Sequence, residues 1–520
     1  HFFSEFLFQI LTLAFIFSIT LVKMHFSIPD TQEFFNEATG STYTGYKIYI
    51  NGSYHCCLRY KQLHSMHEQL RRQIQHLGTP ELALPVFPSK KLLPLTNSQV
   101  EQRRAALEHY LQSIGQVPAL AKLDIFQTFL LNAQQESAAA LVDLTGRELP
   151  NECCLDVLLM NGYQMQLQCR RNDNASVVLR KACQCINLPP DFVHFFCIYL
   201  IRKDVKDTLV LLRRLMDFEA PVISRQQTEA SPCQLMLRKS YWNPAYDLQL
   251  MRDSIGLNLL FIQTISDVER EWIIATPEMR KQLQKLQEQG KKREYMELAR
   301  KLPLYGCLQF MASSVDYPGE EQAMSSALIA IGNRELSMRT FQGAKIYETK
   351  FRVTRMRCWR VTAVHHNDSE DHNTPTSSPS NLQLSFEYLL SRQTLRWITI
   401  TSAQAMLMSV CLQSMVDELL QQKEAPAGHT LVPSPPLSYV LRDGSGSKTI
   451  CASPAYSTNE LISASYSSPT QNKFFAQRRK VQPRGTSSQS STNPTLSVFF
   501  RNAQESVHNE AFEGIGDDDL

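Results

Sequence analysis

The chain has 520 residues, 43% of them hydrophobic, with 53 Lys and Arg set against 50 Asp and Glu. A formal net charge of +3 over that length excludes a bulk nucleic-acid binder and leaves room only for local basic patches. The 13 cysteines are scattered and odd in number; Cys56-Cys57, Cys153-Cys154 and Cys183-x-Cys185 lack metal-ligand spacing, as expected of a reducing cytosol rather than of secretion.

The opening "HFFSEFLFQILTLAFIFSITLVKMHFSIPD" is uncharged from Phe6 to Val22, seventeen residues, the bottom of the range for a membrane span. It has no cationic leader and no A-x-A-like cleavage site. It reads as a signal anchor or as an upstream segment foreign to the native protein. The second reading is the expectation for residues 1–23, because Lys23-Met24 divides the apolar run from ordinary alternating sequence and the cysteines favour the cytosol.

Residues 24–135 form a first unit. "TGYKIYING" alternates as a strand into an Asn-Gly turn, and "YHCCLRY" returns as the second strand of a hairpin. "KQLHSMHEQLRRQI" puts Leu63, Met66 and Leu70 on one helical face; after the loop "LPVFPSKKLLPL", "NSQVEQRRAALEHYLQSI" does the same with Val100, Leu107 and Leu111. Residues 151–240 begin with a hairpin about Asn161-Gly162, continue into the helix "ASVVLRKACQCI" and end in the strands "FFCIYLIRK", "TLVLLRRL" and "CQLMLRK", the order of a ubiquitin-like roll. Residues 241–303 are helical. Residues 304–422 hold seven strands, from "YGCLQFM" to "LRWITITS", closed by the helix "AQAMLMSVCLQSMVDELLQ", a phosphotyrosine-binding or pleckstrin-like pattern. From 423 to 520 Ser, Thr, Pro, Gln and Asn dominate; such a segment cannot bury enough surface to offset its ordering entropy and is expected to be disordered.

This succession, carried by "LRYKQLHSMHEQLRR", "FPSKKL", "VEQRRAALEHYL", "LRKSYW", "GLNLLFIQTISDVEREW", "FRVTRMRCWRVT", "WITITSAQAMLMSVCLQSMVDELL" and the terminal "AFEGIGDDDL", resembles the PX-FERM sorting nexin family over roughly 24–422 and the last dozen residues. The resemblance implies an α+β multidomain fold: a PX domain, then a three-lobed FERM-like domain (ubiquitin-like roll, helical bundle, PTB/PH-like sandwich) and a disordered tail. It also implies a non-enzymatic, monomeric adaptor in the cytoplasm, peripheral on early endosome membranes, with no cofactor and no nucleic-acid partner. The rival reading is a signal-anchored protein whose FERM domain tethers it to the cell cortex.

A phosphoinositide headgroup calls for a planar cation to grip phosphate, a flat ring against the inositol and further cations around it. Arg59-Tyr60 supplies the first two side by side at a strand end. The resemblance implies that Arg59 holds the 3-phosphate of phosphatidylinositol 3-phosphate, Tyr60 stacks on the ring, Lys90 reaches the adjacent phosphate and Arg103 holds ring hydroxyls. The loop departs from the family at Ser89, where proline is usual, so it is expected to be less pre-set.

A PTB-type unit binds an extended peptide on an open strand edge beside its last helix. "RCWRVT" is the candidate edge, with Trp359 as a flat surface. On the closing helix Met408, Leu412, Met415 and Leu419 follow core spacing, while Val416 and Leu420 sit on the flank. Pattern alone also admits Trp359, Val416 and Leu420 as core; the resemblance implies that they grip NPxY or NxxY signals in receptor tails. The end "HNEAFEGIGDDDL" runs acidic to a terminal leucine. The resemblance implies that Asp517, Asp518, Asp519 and Leu520 dock onto the Retriever assembly of the Commander complex. Asn509-Glu510-Ala511-Phe512 is an NxxF, a near-copy of the cargo signal, so Asn509 and Phe512 are candidates for occupying the groove when cargo is absent. "HHNDSEDH" at 365–372 has no fixed metal-ligand geometry, and "DGSGSK" at 443–448 lacks phosphate-loop spacing. Asn243-Pro244-Ala245-Tyr246 is itself an NPxY, expected to be a helix start with a packed tyrosine. "KFFAQRRK" at 473–480 mixes aromatics with cations and is expected to be an ordinary solvated run.

Overall fold

The computed structural model describes residues 24–36, 40–78, 82–91, 94–145, 151–203, 209–227, 233–316, 324–342, 345–364, 381–391, 394–424, 439–443, 446–450 and 504–508. Residues 1–23, 365–372 and 473–480 lie outside them. No helix among the described residues is long and apolar enough to cross a membrane.

The first unit contains β1 (Phe26–Ser27), β2 (Thr31–Asn36), β3 (Ser41–Ile50) and β4 (Ser53–Arg59), with β3 pairing to all three others. Asn51 and Gly52 both take positive φ (48° and 76°), the twist-matched turn that an Asn-Gly hairpin favours. Helices α1 (Tyr60–Leu77), α2 (Asn97–Gln116), α3 (Pro118–Ala121) and α4 (Asp124–Thr145) cover the sheet. Strands β1 and β2 and helices α3 and α4 are additions to the elements read from sequence; α4 sends Phe126, Leu130 and Ala133 into the core.

The second unit is a roll of β5 (Glu152–Leu158), β6 (Gln164–Arg170), α5 (Ala175–Cys185), β7 (Phe196–Lys203), β8 (Leu209–Arg214), α6 (Pro221–Gln226) and β9 (Gln234–Lys239), in sheet order β6-β5-β9-β7-β8. β5 and β9 run parallel, which closes the roll. The helical unit has α7 (Asp247–Leu250), α8 (Ser254–Glu269), α9 (Pro277–Glu288) and α10 (Lys292–Ala299). One continuous sequence pattern becomes two helices, α9 and α10, because Gly290 takes a φ of 67° and ends the first of them.

The last unit stacks β10 (Leu308–Asp316), β11 (Met324–Gly332), β12 (Glu335–Gln342), β13 (Lys345–Arg352), β14 (Met356–Val364), β15 (Asn381–Ser391) and β16 (Thr394–Thr401) under α11 (Ala405–Glu424). Sheet order is β13-β12-β11-β10-β16-β15-β14, and β14 would be the edge. Three tail segments extend it: β17 (Tyr439–Asp443), β18 (Gly446–Ile450) and β19 (Gln504–His508), in the order β14-β19-β17-β18. These three segments are held by backbone pairing, which needs no apolar content.

The units share their cores. One face of β7 (Ile198, Leu200) packs with the helical lobe; the other (Cys197, Tyr199, Ile201) packs with the sandwich and α11. Phe218, from the loop after β8, is buried in the core of the first unit, with the His55 ring edge-on at 5.7 Å. Beside it Glu219, 2% exposed, accepts two bonds from Arg213 at 2.7 and 2.8 Å and one each from the Met216 N–H and the Ser224 hydroxyl. Gln134 of α4 accepts from the Ala220 N–H at 2.8 Å and donates to Ser224 at 3.0 Å. At the centre Asp247, fully buried, accepts from Tyr241, from Tyr305 at 2.8 Å and from Arg300 at 3.1 Å and pairs with Lys239 of β9 at 3.6 Å, joining all three later units.

Burial alone would raise the Glu219 carboxyl, but the Arg213 guanidinium and the Met216 N–H overcome it and hold the group below its ordinary value of 4.5. A carboxyl depressed on folding contributes stability that is complete above the unfolded value and lost as pH falls through the lower folded value. Thermal unfolding below about pH 4.5 is therefore expected to weaken the joint between the first two units. Glu219→Gln should unfold earlier at neutral pH, by about 3 kcal/mol of lost pairing, and show a flatter acid dependence in the same scans.

Candidate functional site

The first site grows from the end of β4. Arg59 leaves the strand, its N–H capped by Gln62 Oε1 at 2.8 Å, and Tyr60 opens α1. The Arg59 guanidinium lies over the Tyr43 ring, 3.1 Å from its centroid. Arg103 comes in from α2 and lies over the Tyr60 ring at 4.3 Å. Burial raises the Tyr60 hydroxyl above its ordinary range, and Arg103 draws it part of the way back. Arg103 Nη2 is buried without a hydrogen-bond partner among the described residues, while the same guanidinium also bonds to the Tyr46 side chain. Its neighbour Arg104 is spent on structure: it pairs with Glu101 at 2.7 Å and Glu108 at 3.2 Å and donates to the Ile28 carbonyl. Arg59, Tyr60 and Arg103 are thus brought together.

Lys90 is exposed on the loop beside them. That loop is pinned despite Ser89. Tyr60 donates its hydroxyl to the Pro88 carbonyl at 2.8 Å, and Phe87 is caged by Tyr60, His64, His67 and Tyr110, with centroids at 5.6, 5.6, 4.9 and 4.8 Å. Burial lowers the His67 imidazole, whose Nδ1 meets the Tyr110 hydroxyl at 2.8 Å. Next to the caged ring, Val86 is 94% exposed at the loop tip. The cage was missed in the sequence, although His64 and His67 already stood one helical turn apart.

The second site is the edge of β14. Trp359 is fully buried and donates Nε1–H to Ser409 of α11 at 3.0 Å; Val416 is 2% exposed. Both belong to the core between sheet and helix, so Trp359 is the floor of this edge rather than an open platform, and Val416 sits within the core stripe rather than on its flank. Leu420 is half-buried against the same cluster. Outside, Arg360 lies over Trp397 at 4.6 Å and Arg357 pairs with Glu387. The backbone edge is taken by the tail: β19 pairs antiparallel with Cys358↔His508, Trp359↔Val507 and Arg360↔Ser506. Asn509 and Phe512 follow directly, and they and Asp517–Leu520 lie outside the described residues.

Asn243-Pro244-Ala245-Tyr246 is a structural joint. The Asn243 side chain accepts from the Ala245 N–H, the Tyr246 N–H reaches the Asn243 carbonyl at 3.1 Å, and Tyr246 is buried. Glu418 of α11 accepts from the N–H groups of Trp242 and Asn243 at 2.8 and 2.6 Å; burial raises its carboxyl above the usual range.

The fold and these two sites define a PX domain joined to a three-lobed FERM domain. Family models match in that order: the PX domain at 46–133, the sorting nexin 17/27/31 FERM F1 lobe at 153–242, the sorting nexin 17/31 F2 lobe at 243–303 and the sorting nexin 17 FERM C-terminal domain at 306–420. The chain is 39% identical to sorting nexin-17 of Rattus norvegicus and 38% to that of Homo sapiens, covering 96% of this chain and all of each relative. Sorting nexin-31 of Homo sapiens is 32% identical over 76% of this chain and 86% of that one. The chain therefore belongs to the sorting nexin-17 family, and it is a non-enzymatic endosomal sorting adaptor. In this family the PX domain binds phosphoinositide membranes and the FERM domain binds receptor tails.

Phe87→Ala should release the lysine loop, seen as faster amide exchange over 82–91, and weaken phosphoinositide vesicle binding. Val86→Ser should also weaken vesicle binding but leave the affinity for a soluble short-chain headgroup unchanged.

Proposed function

We propose that the PX domain reads phosphatidylinositol 3-phosphate on early endosomes through Arg59, Tyr60, Lys90 and Arg103. The FERM domain takes NPxY or NxxY signals of receptor tails as a strand on β14, over the floor of Trp359, Val416 and Leu420. The acidic end, Asp517, Asp518, Asp519 and Leu520, recruits the Retriever assembly of the Commander complex, and the captured receptor is recycled to the cell surface. The chain acts as a monomer. Each contact can be weak, because a membrane-held adaptor meets its peptide at high effective concentration.

The observation that supports the peptide reading is β19: β14 already carries an extended strand ending one residue before an NxxF. A sorting peptide laid on β14 in the same register would carry its own Asn-x-x-aromatic signal just after the paired strand, as the sequence Asn509-Glu510-Ala511-Phe512 follows β19. The tail is then a self-made competitor. Cargo displaces it, and the shared equilibrium links cargo capture to release of the acidic end.

Two experiments test this. Arg59→Ala should lose 3-phosphoinositide vesicles and leave endosomes, and Arg59→Lys should recover little, since an ammonium cannot grip phosphate bidentately; retention of endosomal localisation by Arg59→Ala would overturn the lipid reading. Ser506→Pro, which removes an N–H from β19, and Phe512→Ala should each tighten the apparent affinity for an NPxY peptide in fluorescence polarisation. Equal affinity for wild type and both variants would rule out self-competition. Trp359→Ala is a poor probe, because emptying so buried a site costs about 3–5 kcal/mol of stability.

A further inference from the structure

We infer that Tyr43 is a positioning residue for Arg59, part of an aromatic stack that holds the phosphate-gripping guanidinium ready without an anionic partner. The inference rests on the lipid reading of Arg59. Among the described residues no carboxylate forms an ion pair with Arg59. Its guanidinium instead lies over the Tyr43 ring at 3.1 Å. Tyr43 is in turn stacked on Phe34, centroids 5.3 Å apart and planes 15° apart, and the two are direct partners across β2 and β3. Two residues on, Gly45 is the partner of Arg59 across β3 and β4. A Cβ at Gly45 would lie 2.6 Å from Phe34 Cε2 and 2.7 Å from Cys57 Sγ. Only glycine lets the Phe34 ring lie down over β3, where it supports Tyr43 from the side.

The chemistry favours a ring over a carboxylate at this position. A long, free arginine side chain loses rotamer entropy when it grips a ligand; one already held loses less. A carboxylate would hold it too, but would occupy the N–H edge and would have to be displaced by phosphate. A ring uses the guanidinium face and leaves the N–H edge free for two parallel bonds to phosphate oxygens. The stack therefore pre-positions the cation without competing for its donors.

The test uses the full-length chain, phosphatidylcholine vesicles with and without phosphatidylinositol 3-phosphate, and the soluble dibutanoyl form of that lipid. Tyr43→Phe keeps the ring and should bind within about two-fold of wild type, whereas Tyr43→Leu should weaken both vesicle and soluble-lipid binding about two- to five-fold, the range of an exposed cation–π contact. Stepwise fluorination of a phenylalanine placed at 43 drains the ring face with little change of shape, and affinity should fall at each step while the unfolding midpoint stays put. This series keeps the idea testable if Tyr43→Leu misfolds. Fluorinated and plain phenylalanine binding equally well would overturn the positioning role while Arg59→Ala still loses the lipid. If Arg59→Ala binds as wild type, the lipid reading itself fails and the inference falls with it.

Discussion

The structure depends on β7 having two apolar faces. A strand at the side of an ordinary half-buried sheet alternates, one face to the core and one to water. β7 instead buries every residue from Phe196 to Ile201. Ile198 and Leu200 face the helical lobe, and Cys197, Tyr199 and Ile201 face the sandwich. The roll therefore cannot satisfy its own surface, and both other lobes must dock on it. The buried Asp247, gripped by groups from the roll's end, the helical lobe and the start of the sandwich, fixes the angle at which they do so.

The same economy extends to the PX domain. Phe218 completes a core it does not belong to in sequence, and Glu219, Gln134 and Ser224 satisfy the polar groups around it. Beside this joint, at the Asn51-Gly52 turn, Asn51 Nδ2 reaches Met216 Sδ at 3.6 Å and a Cβ on Gly52 would meet Met406 of α11 at 3.0 Å. The PX sheet thus touches both the roll and the helix that floors the peptide edge.

The two sites are built on opposite physical terms. The Arg59 site is made of side chains, and its neighbours hold them by ring faces and carbonyls, with Arg103 Nη2 buried and unbonded among the described residues. The β14 edge offers mainly backbone, with Trp359 and Val416 sunk into the core beneath it. A backbone edge accepts any extended strand, and here it pairs with the chain's own Gln504–His508.

Much of this was legible one element at a time. The Asn-Gly hairpins, the helical stripe of Leu63, Met66 and Leu70, the continuous apolar run of β7 and the seven strands before α11 are local patterns, set by backbone period and by which side chains shun water. Arg59-Tyr60 was legible because both residues are adjacent in the chain. Tertiary structure alone decided that Tyr43, Phe34 and Gly45 gather around Arg59, and that Phe87 is caged by residues of two helices. It alone decided that Trp359 is floor rather than platform, and that Phe218 belongs to the PX core. Each of these joins residues distant in the chain, and single-sequence periodicity records which way a side chain points but not what another segment brings to meet it. The tail shows the converse: its composition marks it as unable to build a core, and the backbone groups of the β14 edge and of β17 supply the hydrogen-bonding partners that let Gln504–His508 become a strand.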